Sequence, residues 1–214
     1  MGTTTVEVSG LTTGAPYGAP ARVSGRSGAE WIRDARHLPD SILHARRRRA
    51  AQLELQNLRP RSILFVCHGN ICRSPFAAAA FSRASPRRVS ESIKVASAGF
   101  IGPDRSPPSK ALAASSRLGV DISSHRSTRI TTESLHAADL VVVMSSEQAR
   151  GIRARLRSSS SRVLVLGDLD PLSINRRTIS DPWGEPDSAF DASYDRIDRC
   201  VRELARIIQR PDES

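Results

Sequence analysis

The chain has 214 residues, three cysteines and a formal net charge of +10. This length allows one domain with a buried core and some additional chain. An odd, low cysteine count argues against a secreted disulfide framework and favours a reducing, cytoplasmic setting. We predict neither a membrane span nor a signal peptide, because no apolar run approaches about 18 residues and the N-terminus lacks the signal pattern. The positive charge favours anionic ligands in general but identifies none.

The first part of the chain is predicted to contain two segments outside the main domain. Residues 1–28 are rich in Gly, Ser, Thr, Ala and Pro without a sustained apolar period, so we predict a flexible tail. Residues 29–59 are helix-prone, with Asp40 or Ser41 as the candidate N-cap. We therefore predict an Arg-rich helical extension that precedes a domain over residues 60–210.

The helical extension carries the basic run Arg46 to Arg49. Such a run is more typical of a solvated helix face than of a phosphate-backbone contact, so we do not expect nucleic acid as a partner. The apolar positions form only a weak helical stripe, which predicts that the helix rests loosely on the main domain. These positions are Leu43, Ala50 and Leu53.

Four short apolar runs alternate with helix-like segments in the main domain. This alternation is typical of a parallel sheet, so we predict an α/β fold in which a central four-stranded parallel sheet is flanked by helices. The predicted strands are Ile63–Val66, Ile93–Ser97, Leu140–Met144 and Val163–Leu166. The predicted helices are Pro75–Ala84, Pro108–Leu118, Ser145–Leu156 and Ser188–Gln209.

The last predicted helix has the clearest apolar face. Its apolar residues recur at spacings of three and four, which predicts that this face packs on the sheet. Cys200 lies next to the face and is predicted to be a buried small hydrophobe. The face consists of Phe190, Tyr194, Ile197, Val201, Leu204 and Ile208.

The first predicted strand leads directly to a cysteine, Cys67, at the carboxyl edge of the sheet. Ligands bind at this edge in open α/β folds, and the first N–H groups of a helix bind anions there. Gly69 allows close approach of the backbone, and Pro75 suits the first turn of the next helix. Arg73, six positions after Cys67, can bind two oxygens of the same phosphate.

In this position Cys67 lies at the floor of a positive pocket, where the thiolate is favoured over the thiol. A thiolate that faces a bound phosphate is a nucleophile for phosphorus, so we predict a phosphate monoester as ligand. Taken alone, a cysteine and an arginine at this spacing are a weak signal. The His and Asp residues do not show the spacing of a metal site, and we expect neither metal nor cofactor.

The string V-C-H-G-N-I-C-R-S-P, from Val66 to Pro75, closely resembles the phosphate-binding loop of the low-molecular-weight protein tyrosine phosphatases. The resemblance covers about Arg61 to Ile208. It includes "SAG" at Ser97 to Gly99, "HRS" at His125 to Ser127 and "SDPWG" at Ser180 to Gly184. We therefore identify the main domain as a candidate member of that family.

The resemblance implies a three-layer sandwich and a protein tyrosine phosphatase that works through a phosphocysteine intermediate. It makes Cys67 the nucleophile, Arg73 a phosphate ligand and Asp181, in a D-P pair, the general acid. A placed general acid typically contributes about 100- to 10,000-fold to the rate. The phosphate-binding residues that it implies are His68, Gly69, Asn70, Ile71, Cys72, Arg73 and Ser74.

Three loop residues receive further roles from the same resemblance. Ser74 is implied to donate a hydrogen bond to the sulfur, and Asn70 to hold the shape of the loop through its side chain. Cys72 is implied to form a reversible disulfide with the nucleophile, which would shield it from deeper oxidation.

The resemblance further implies a tyrosine-phosphorylated protein as substrate, with a cognate tyrosine kinase as a further partner. Trp183 and Phe100 are candidates for stacking on the phenyl ring of the substrate. Ile71 occupies the loop position where phosphotyrosine-directed members have Ile and some phosphoarginine-directed relatives have Thr. This residue favours phosphotyrosine.

Two enzymatic alternatives would use the same loop, a thioredoxin-coupled arsenate reductase and a phosphoarginine phosphatase. The reductase needs a further pair of cysteines, and Cys200 is the only cysteine outside the loop, which argues against it. A catalytically silent phosphate-binding domain is a third alternative. It is disfavoured because Cys67, Arg73, Ser74 and Asp181 are all present.

Overall fold

The computed structural model of the protein describes residues 43–156 and 161–209. The predicted tail and the first part of the predicted extension, with both candidate N-caps, lie outside the described residues. Within the described residues, the α/β fold class and the central parallel sheet are confirmed. No helix there combines the length and hydropathy needed to cross a bilayer.

All four predicted strands are present, and all pair in parallel in the order β2-β1-β3-β4. The first strand therefore lies inside the sheet, between the second and the third. Its register places Cys67 beside Gly99, at the same edge. The strands are β1 (Ser62–Cys67), β2 (Lys94–Gly99), β3 (Leu140–Val143) and β4 (Arg162–Val165).

The four predicted helices of the main domain are also present, and two short helices were not predicted. Helix α5 has five residues and is stabilised by a capping box formed by Thr131 and Ser134. It is too short to show an apolar period in the sequence. The helices are α1 (residues 43–56), α2 (Arg73–Ala84), α3 (Arg87–Ser92), α4 (Ser109–Arg117), α5 (Thr132–His136), α6 (Ser146–Arg155) and α7 (Asp187–Ile208). A 3-10 segment covers Leu166–Leu169.

The helices cover both faces of the sheet, which gives the predicted three layers. Alternate strand residues belong to two separate apolar clusters: Ile63 and Phe65 face one, while Leu64 and Val66 face the other. Helices α1, α2, α4 and α7 contribute to the first cluster, and α5 and α6 contribute to the second. Because β3 is buried on both faces, it is a continuous apolar run rather than an alternating one.

Helix α7 buries the apolar face that its spacing predicts. Phe190, Tyr194, Ile197, Val201, Leu204 and Ile208 all lie in the first cluster. The Tyr194 ring also stacks on Phe76 of α2, with the ring centroids 4.2 Å apart. Cys200 is buried as predicted, and burial raises the pKa of its thiol.

Helix α1 packs on the domain through a different face from the one that Leu43, Ala50 and Leu53 would form. The prediction that the helix rests loosely on the domain through that stripe is therefore wrong. Its buried residues are His44, Ala51 and Leu55. Two polar side chains, Arg48 and Gln52, lie along the same face and bind an acidic residue of α7. A helix face that combines apolar and paired polar residues gives no clear apolar period. The residues of the predicted stripe are instead exposed: Leu43, Ala50 and Leu53.

The acidic partner of α1 is Glu203, which is buried in α7. Its carboxylate accepts hydrogen bonds from Arg48 at 2.9 Å, from Gln52 at 2.8 Å and from Arg206 at 2.8 and 2.9 Å. The bonds from Arg206, opposed by burial, lower the pKa of this carboxyl from 4.5 to about 2. Glu203 therefore joins the first and the last described helix as an anion.

Replacing Glu203 by Gln is expected to remove an acid-sensitive part of the stability. The pKa of the carboxyl is lower in the folded state, so its contribution is fully present above about 4.5 and is lost as the pH falls towards 2. The free energy of unfolding of the wild type should therefore fall more steeply across this window than that of Glu203→Gln. At pH 7 the variant should be less stable by about 1–3 kcal/mol in urea titrations.

The matched control is Glu91→Gln, which breaks an exposed pair with Arg87. Exposed pairs contribute about 0–1 kcal/mol, so this change should leave the stability curve nearly unaltered. Equal pH dependence of the wild type and Glu203→Gln would contradict the role assigned to Glu203.

Candidate active site

The loop between β1 and α2 presents an anion-binding surface. Helix α2 starts at Arg73 with Cys72 as N-cap, without a side-chain cap and without an acidic residue in its first turn. The first N–H groups of the helix are therefore free to bind an anion, which the helix dipole also favours. Cys67, at the end of β1, faces this terminus.

The sulfur of Cys67 is buried and has two hydrogen-bond partners within the loop. The backbone N–H of Asn70 donates to Sγ at 3.2 Å, and the hydroxyl of Ser74 lies 3.0 Å from Sγ. Both groups can donate to a sulfur anion, which is the stabilisation that a nucleophilic thiolate requires. The contact predicted for Ser74 is thus present.

Asn70 stabilises the loop through its side chain, and its own backbone is left-handed, with φ at 51°. Its side-chain amide donates to Ser74 Oγ at 2.8 Å and to Ser97 Oγ at 2.9 Å, and its Oδ1 accepts from the Thr128 N–H at 2.7 Å. Nε2 of His125 donates to the Asn70 carbonyl at 2.8 Å. The "SAG" and "HRS" motifs therefore supply the supports of the phosphate loop.

His125 belongs to the "HRS" motif, and the structure gives this residue a role that the motif does not indicate. Burial lowers the pKa of its imidazole, which favours the neutral ring near pH 7. A neutral ring with its proton on Nε2 satisfies the hydrogen bond to Asn70. The motif alone could not reveal this contact, since the two residues lie 55 positions apart.

Gly99 is required because the phosphate loop passes directly over it. A Cβ atom at this position would lie 2.8 Å from the Asn70 nitrogen and 2.9 Å from both the Asn70 Cβ and the His68 oxygen. All three distances are shorter than van der Waals contact allows. The loop can thus adopt this shape only because the "SAG" motif has a glycine at this position.

Arg73 joins the phosphate loop to the segment that carries Asp181. The residue is 4% exposed; Nη1 of its guanidinium donates to the Ile179 carbonyl at 3.1 Å, and Nη2 donates to Asp181 Oδ2. Nε is buried and has no protein partner. The structure thereby brings together Cys67, Arg73 and Asp181, which are distant in sequence.

These three residues line one small cavity of about 60 Å³. Trp183 stands at the mouth with 60% of its surface exposed, close to Ile101. Of the predicted phosphate-binding residues, Asn70 and Ser74 lie below the cavity as supports. The lining residues are Cys67, His68, Gly69, Ile71, Cys72, Arg73, Ile101, Arg105, Asp181 and Trp183.

Phe100 does not line the cavity, so the contact predicted for it has no support in this geometry. Its side chain packs on the second apolar cluster, with the Arg155 guanidinium 5.6 Å from the ring centroid. The next residue, Ile101, reaches the mouth instead. Arg105 was not predicted; its Nη2 donates to the Gly69 carbonyl at 2.6 Å, and no motif in the sequence indicated it.

Cys72 differs from Cys67 in its surroundings. Burial and the neighbouring Cys67 raise the pKa of its thiol to about 12. Its backbone carbonyl accepts a hydrogen bond from the Tyr194 hydroxyl at 3.0 Å. Cys72 thus stays a protonated thiol near neutral pH, within a loop that α7 also holds in place.

Across residues 43–156 and 161–209, no group of three His, Cys, Asp or Glu side chains is arranged to hold a metal ion. All three cysteines lie within this part of the chain and are unpaired. The cavity lining includes the guanidinium-bearing residues Arg73 and Arg105, and guanidinium groups bind oxyanions.

In this site a cysteine at the carboxyl edge of a parallel sheet faces a helix N-terminus and a buried arginine. This arrangement is typical of enzymes that bind oxyanions and use a cysteine. The family model described as low molecular weight phosphotyrosine protein phosphatase matches residues 62–213. The chain belongs to this family.

Curated relatives and solved structures agree with this assignment. A probable low molecular weight protein-tyrosine-phosphatase, EpsP of Ralstonia solanacearum, is 36% identical over 66% of this chain and 91% of its own length. The tyrosine phosphatase AmsI of Erwinia amylovora superposes with a TM-score of 0.64 at 26% identity, over 72% of this chain and 97% of its own. The arginine phosphatase YwlE of Geobacillus stearothermophilus superposes with a TM-score of 0.61 at 28% identity, over 70% and 94%.

Replacing Gly99 by Ala is expected to displace the phosphate loop. The added methyl would press on Asn70 and His68, at a cost of about 1–3 kcal/mol in the free energy of unfolding. The variant should also lose the rise in melting temperature that inorganic phosphate gives the wild type, because the anion-binding surface is distorted. Both effects are measured by thermal unfolding with and without phosphate.

Gly151→Ala in α6 is the matched control, because a Cβ atom there would meet nothing within 4 Å. Alanine is the better helix former by about 0.5–1 kcal/mol, so this variant should be at least as stable as the wild type and should respond normally to phosphate. A normal phosphate response in Gly99→Ala would contradict the steric argument.

Proposed function

We propose that the protein hydrolyses phosphotyrosine monoesters in proteins through a phosphocysteine intermediate. The observation that carries this proposal is the meeting of Cys67, Arg73 and Asp181 around one cavity at the N-terminus of α2. Family membership supports the same reaction. The proposed roles are nucleophile for Cys67, phosphate ligand for Arg73 and general acid for Asp181.

The phosphate group would bind against the loop N–H groups and the guanidinium of Arg73. In the present structure the carboxylate of Asp181 occupies this guanidinium. A phosphate dianion carries more charge and can accept two parallel N–H bonds, so it replaces the carboxylate as the partner of Arg73. Asp181 is thereby released towards the ester oxygen, at the side of the cavity that opens to solvent.

In the first displacement the sulfur of Cys67 attacks phosphorus, and the bond from phosphorus to the ester oxygen breaks. Asp181, which takes up a proton from solvent after its release from Arg73, gives this proton to the leaving oxygen, so that a neutral phenol departs. Arg73 and the loop N–H groups stay on the equatorial oxygens, where charge accumulates. Ser74 stabilises the sulfur anion before the attack and again when it leaves.

In the second displacement water attacks the phosphocysteine. Asp181, now a carboxylate, takes a proton from that water, and the phosphorus–sulfur bond breaks to restore the thiolate. The products are inorganic phosphate and free enzyme. Both steps use only groups that line the cavity or support its loop.

The depth of the nucleophile selects the substrate. Cys67 is buried and is reached through a mouth between Trp183 and Ile101, which suits a flat aromatic ring. A short phosphoserine would not reach the sulfur. Phosphoarginine remains the second candidate because the arginine phosphatase YwlE shares the fold; Ile71 at the lining favours phosphotyrosine.

The partners follow from this reaction. A tyrosine-phosphorylated protein is the proposed substrate, and its phosphate must come from a tyrosine kinase, which we propose as the cognate enzyme. A reducing, cytoplasmic setting is proposed because the Cys67 thiolate needs a reduced neighbour in Cys72. An arsenate reductase role is not proposed, since Cys200 is the only cysteine outside the loop and is fully buried.

The reaction is tested with p-nitrophenyl phosphate, phosphotyrosine, phosphoserine and phosphoarginine under reducing conditions. The wild type should hydrolyse the two aryl esters and leave phosphoserine intact. Cys67→Ser should abolish hydrolysis, because the hydroxyl is a poor nucleophile without a base. Asp181→Asn should lower kcat by about 100- to 10,000-fold, which is the usual contribution of a general acid.

Phosphoarginine as the preferred substrate would replace phosphotyrosine while leaving the mechanism in place. Full activity of Cys67→Ser would refute the phosphocysteine intermediate. The control Cys200→Ser changes a buried thiol far from the cavity lining and should retain the wild-type rate per folded molecule.

Alkylation provides an independent check on the assigned nucleophile. Iodoacetamide at pH 7 is expected to modify Cys67 selectively, because the pKa of Cys72 is raised to about 12 and burial raises that of Cys200. Peptide mass spectrometry identifies the modified residue, and inorganic phosphate should slow the reaction by occupying the loop. Preferential modification of Cys72 would contradict the assignment.

A further inference from the structure

We propose that helix α1 positions the general-acid loop, residues 176–181, through two carboxylates of the 3-10 region, Asp168 and Asp170. The 3-10 region comprises the 3-10 segment Leu166–Leu169 and its C-cap Asp170. The positioning residues are His44 and Arg47, which lie outside the family match at residues 62–213. The proposal rests on the proposed function, because it takes Asp181 as the general acid.

Helix α1 is held firmly enough to serve as a support. Ala51 and Leu55 are buried in the first apolar cluster, and Glu203 anchors the polar side of the same face. Paired buried carboxylates and apolar burial together resist local opening of a helix. The helix thus presents its first described turn to the 3-10 region in a fixed orientation.

Two side chains of that turn contact the 3-10 region. His44 is buried, and its Nε2 donates to the backbone carbonyl of Asp170 at 2.9 Å. The Nε of Arg47 lies 3.7 Å from Oδ1 of Asp168. One contact fixes the backbone at the end of the 3-10 segment, and the other adds positive charge beside a buried carboxylate.

Asp168 continues the connection to the acid loop. Its two oxygens accept hydrogen bonds from Nε and Nη2 of Arg177, at 2.7 and 2.6 Å. The backbones also approach closely, since a Cβ atom on Gly167 would lie 2.1 Å from the Arg177 carbonyl oxygen. The start of the acid loop therefore rests directly on the 3-10 segment.

Asp170 makes a second connection. Its carboxylate is fully buried and accepts from Nε of Arg196 at 2.9 Å and from Nε of Arg199 at 2.8 Å. Arg196 in turn donates to the carbonyls of Thr178 at 3.0 Å and Arg176 at 2.7 Å. A shift of Asp170 is thus passed to the same loop through a rigid guanidinium.

The loop then reaches the cavity within three residues. The Ile179 N–H donates to the Met144 carbonyl at 2.9 Å, and its carbonyl accepts from Arg73. Asp181 follows two positions later. Proton transfer is sensitive to displacement on the order of 1 Å, so a loosened support lowers the rate without removing any group from the cavity.

A positioning role and a purely structural role of α1 predict different kinetics. If α1 only stabilises the fold, its disruption lowers the concentration of active enzyme and reduces kcat/KM equally for every aryl phosphate. If α1 positions Asp181, the loss falls on substrates whose leaving oxygen needs a proton. Phenyl phosphate has such a leaving group, whereas 2,4-dinitrophenyl phosphate releases a stable anion.

The test measures kcat/KM of the full chain on these two substrates, since kcat/KM reports the first displacement. In the double variant His44→Ala/Arg47→Ala, we expect a loss of roughly 10-fold on phenyl phosphate, part of what a general acid contributes, and little change on 2,4-dinitrophenyl phosphate. His44→Gln should recover most of the loss from His44→Ala, because the amide can still donate to Asp170. Arg49→Ala is the control, since it removes an arginine from the same helix at a position that is exposed to solvent.

The effect must also pass through Asp181. In an Asp181→Asn background the double variant should cause no further selective loss, as expected for coupled residues. Equal losses on both substrates, no loss on either, or the same selective loss in Arg49→Ala would overturn the proposal. If the double variant does not fold, His44→Ala alone is judged by the same ratio. A wild type inactive on both substrates would instead refute the proposed function.

Discussion

The guanidinium of Arg73 is the interaction on which the arrangement of the site depends. Arg73 is the first residue of helix α2, beside the sulfur of Cys67. Its guanidinium binds the Ile179 carbonyl and the Asp181 carboxylate, 106 and 108 positions further along the chain. A buried guanidinium is costly unless its donors are paired, so the two segments must approach each other for either to be stable. The same guanidinium donors have the geometry to bind two oxygens of a phosphate dianion.

The two loops that form the site are each supported by polar side chains. Asn70 is held by three surrounding segments, so the phosphate loop needs no bulky side chains of its own. Asp168 and Asp170 play the corresponding part for residues 176–181, with arginines as their partners. Buried carboxylates that are fully paired specify one arrangement, whereas a purely apolar packing of these loops would tolerate several.

Most of the sheet could be predicted from the sequence because its strands are apolar runs bounded by helix-like segments, and α7 because its face is uniformly apolar. The docking face of α1 could not be predicted, because the polar residues His44 and Arg48 are covered only through contacts with partners on distant elements. Arg105 was missed for a similar reason: a single arginine in a loop carries no local pattern. Phe100 was misplaced as a substrate contact because aromatic composition does not reveal to which side of the loop a ring turns.

The long separation between the two halves of the site also has a consequence for synthesis. Translation proceeds at about 5–20 residues per second, so the 108 positions from Arg73 to Asp181 correspond to about 5–20 s. During that interval a nascent chain contains Cys67 and Arg73 without Asp181, and β1 lacks the neighbour that β3 later supplies. The cavity around Cys67 can therefore be completed only after Asp181 has been synthesised, and a chain whose translation stops between the two residues lacks part of the cavity lining.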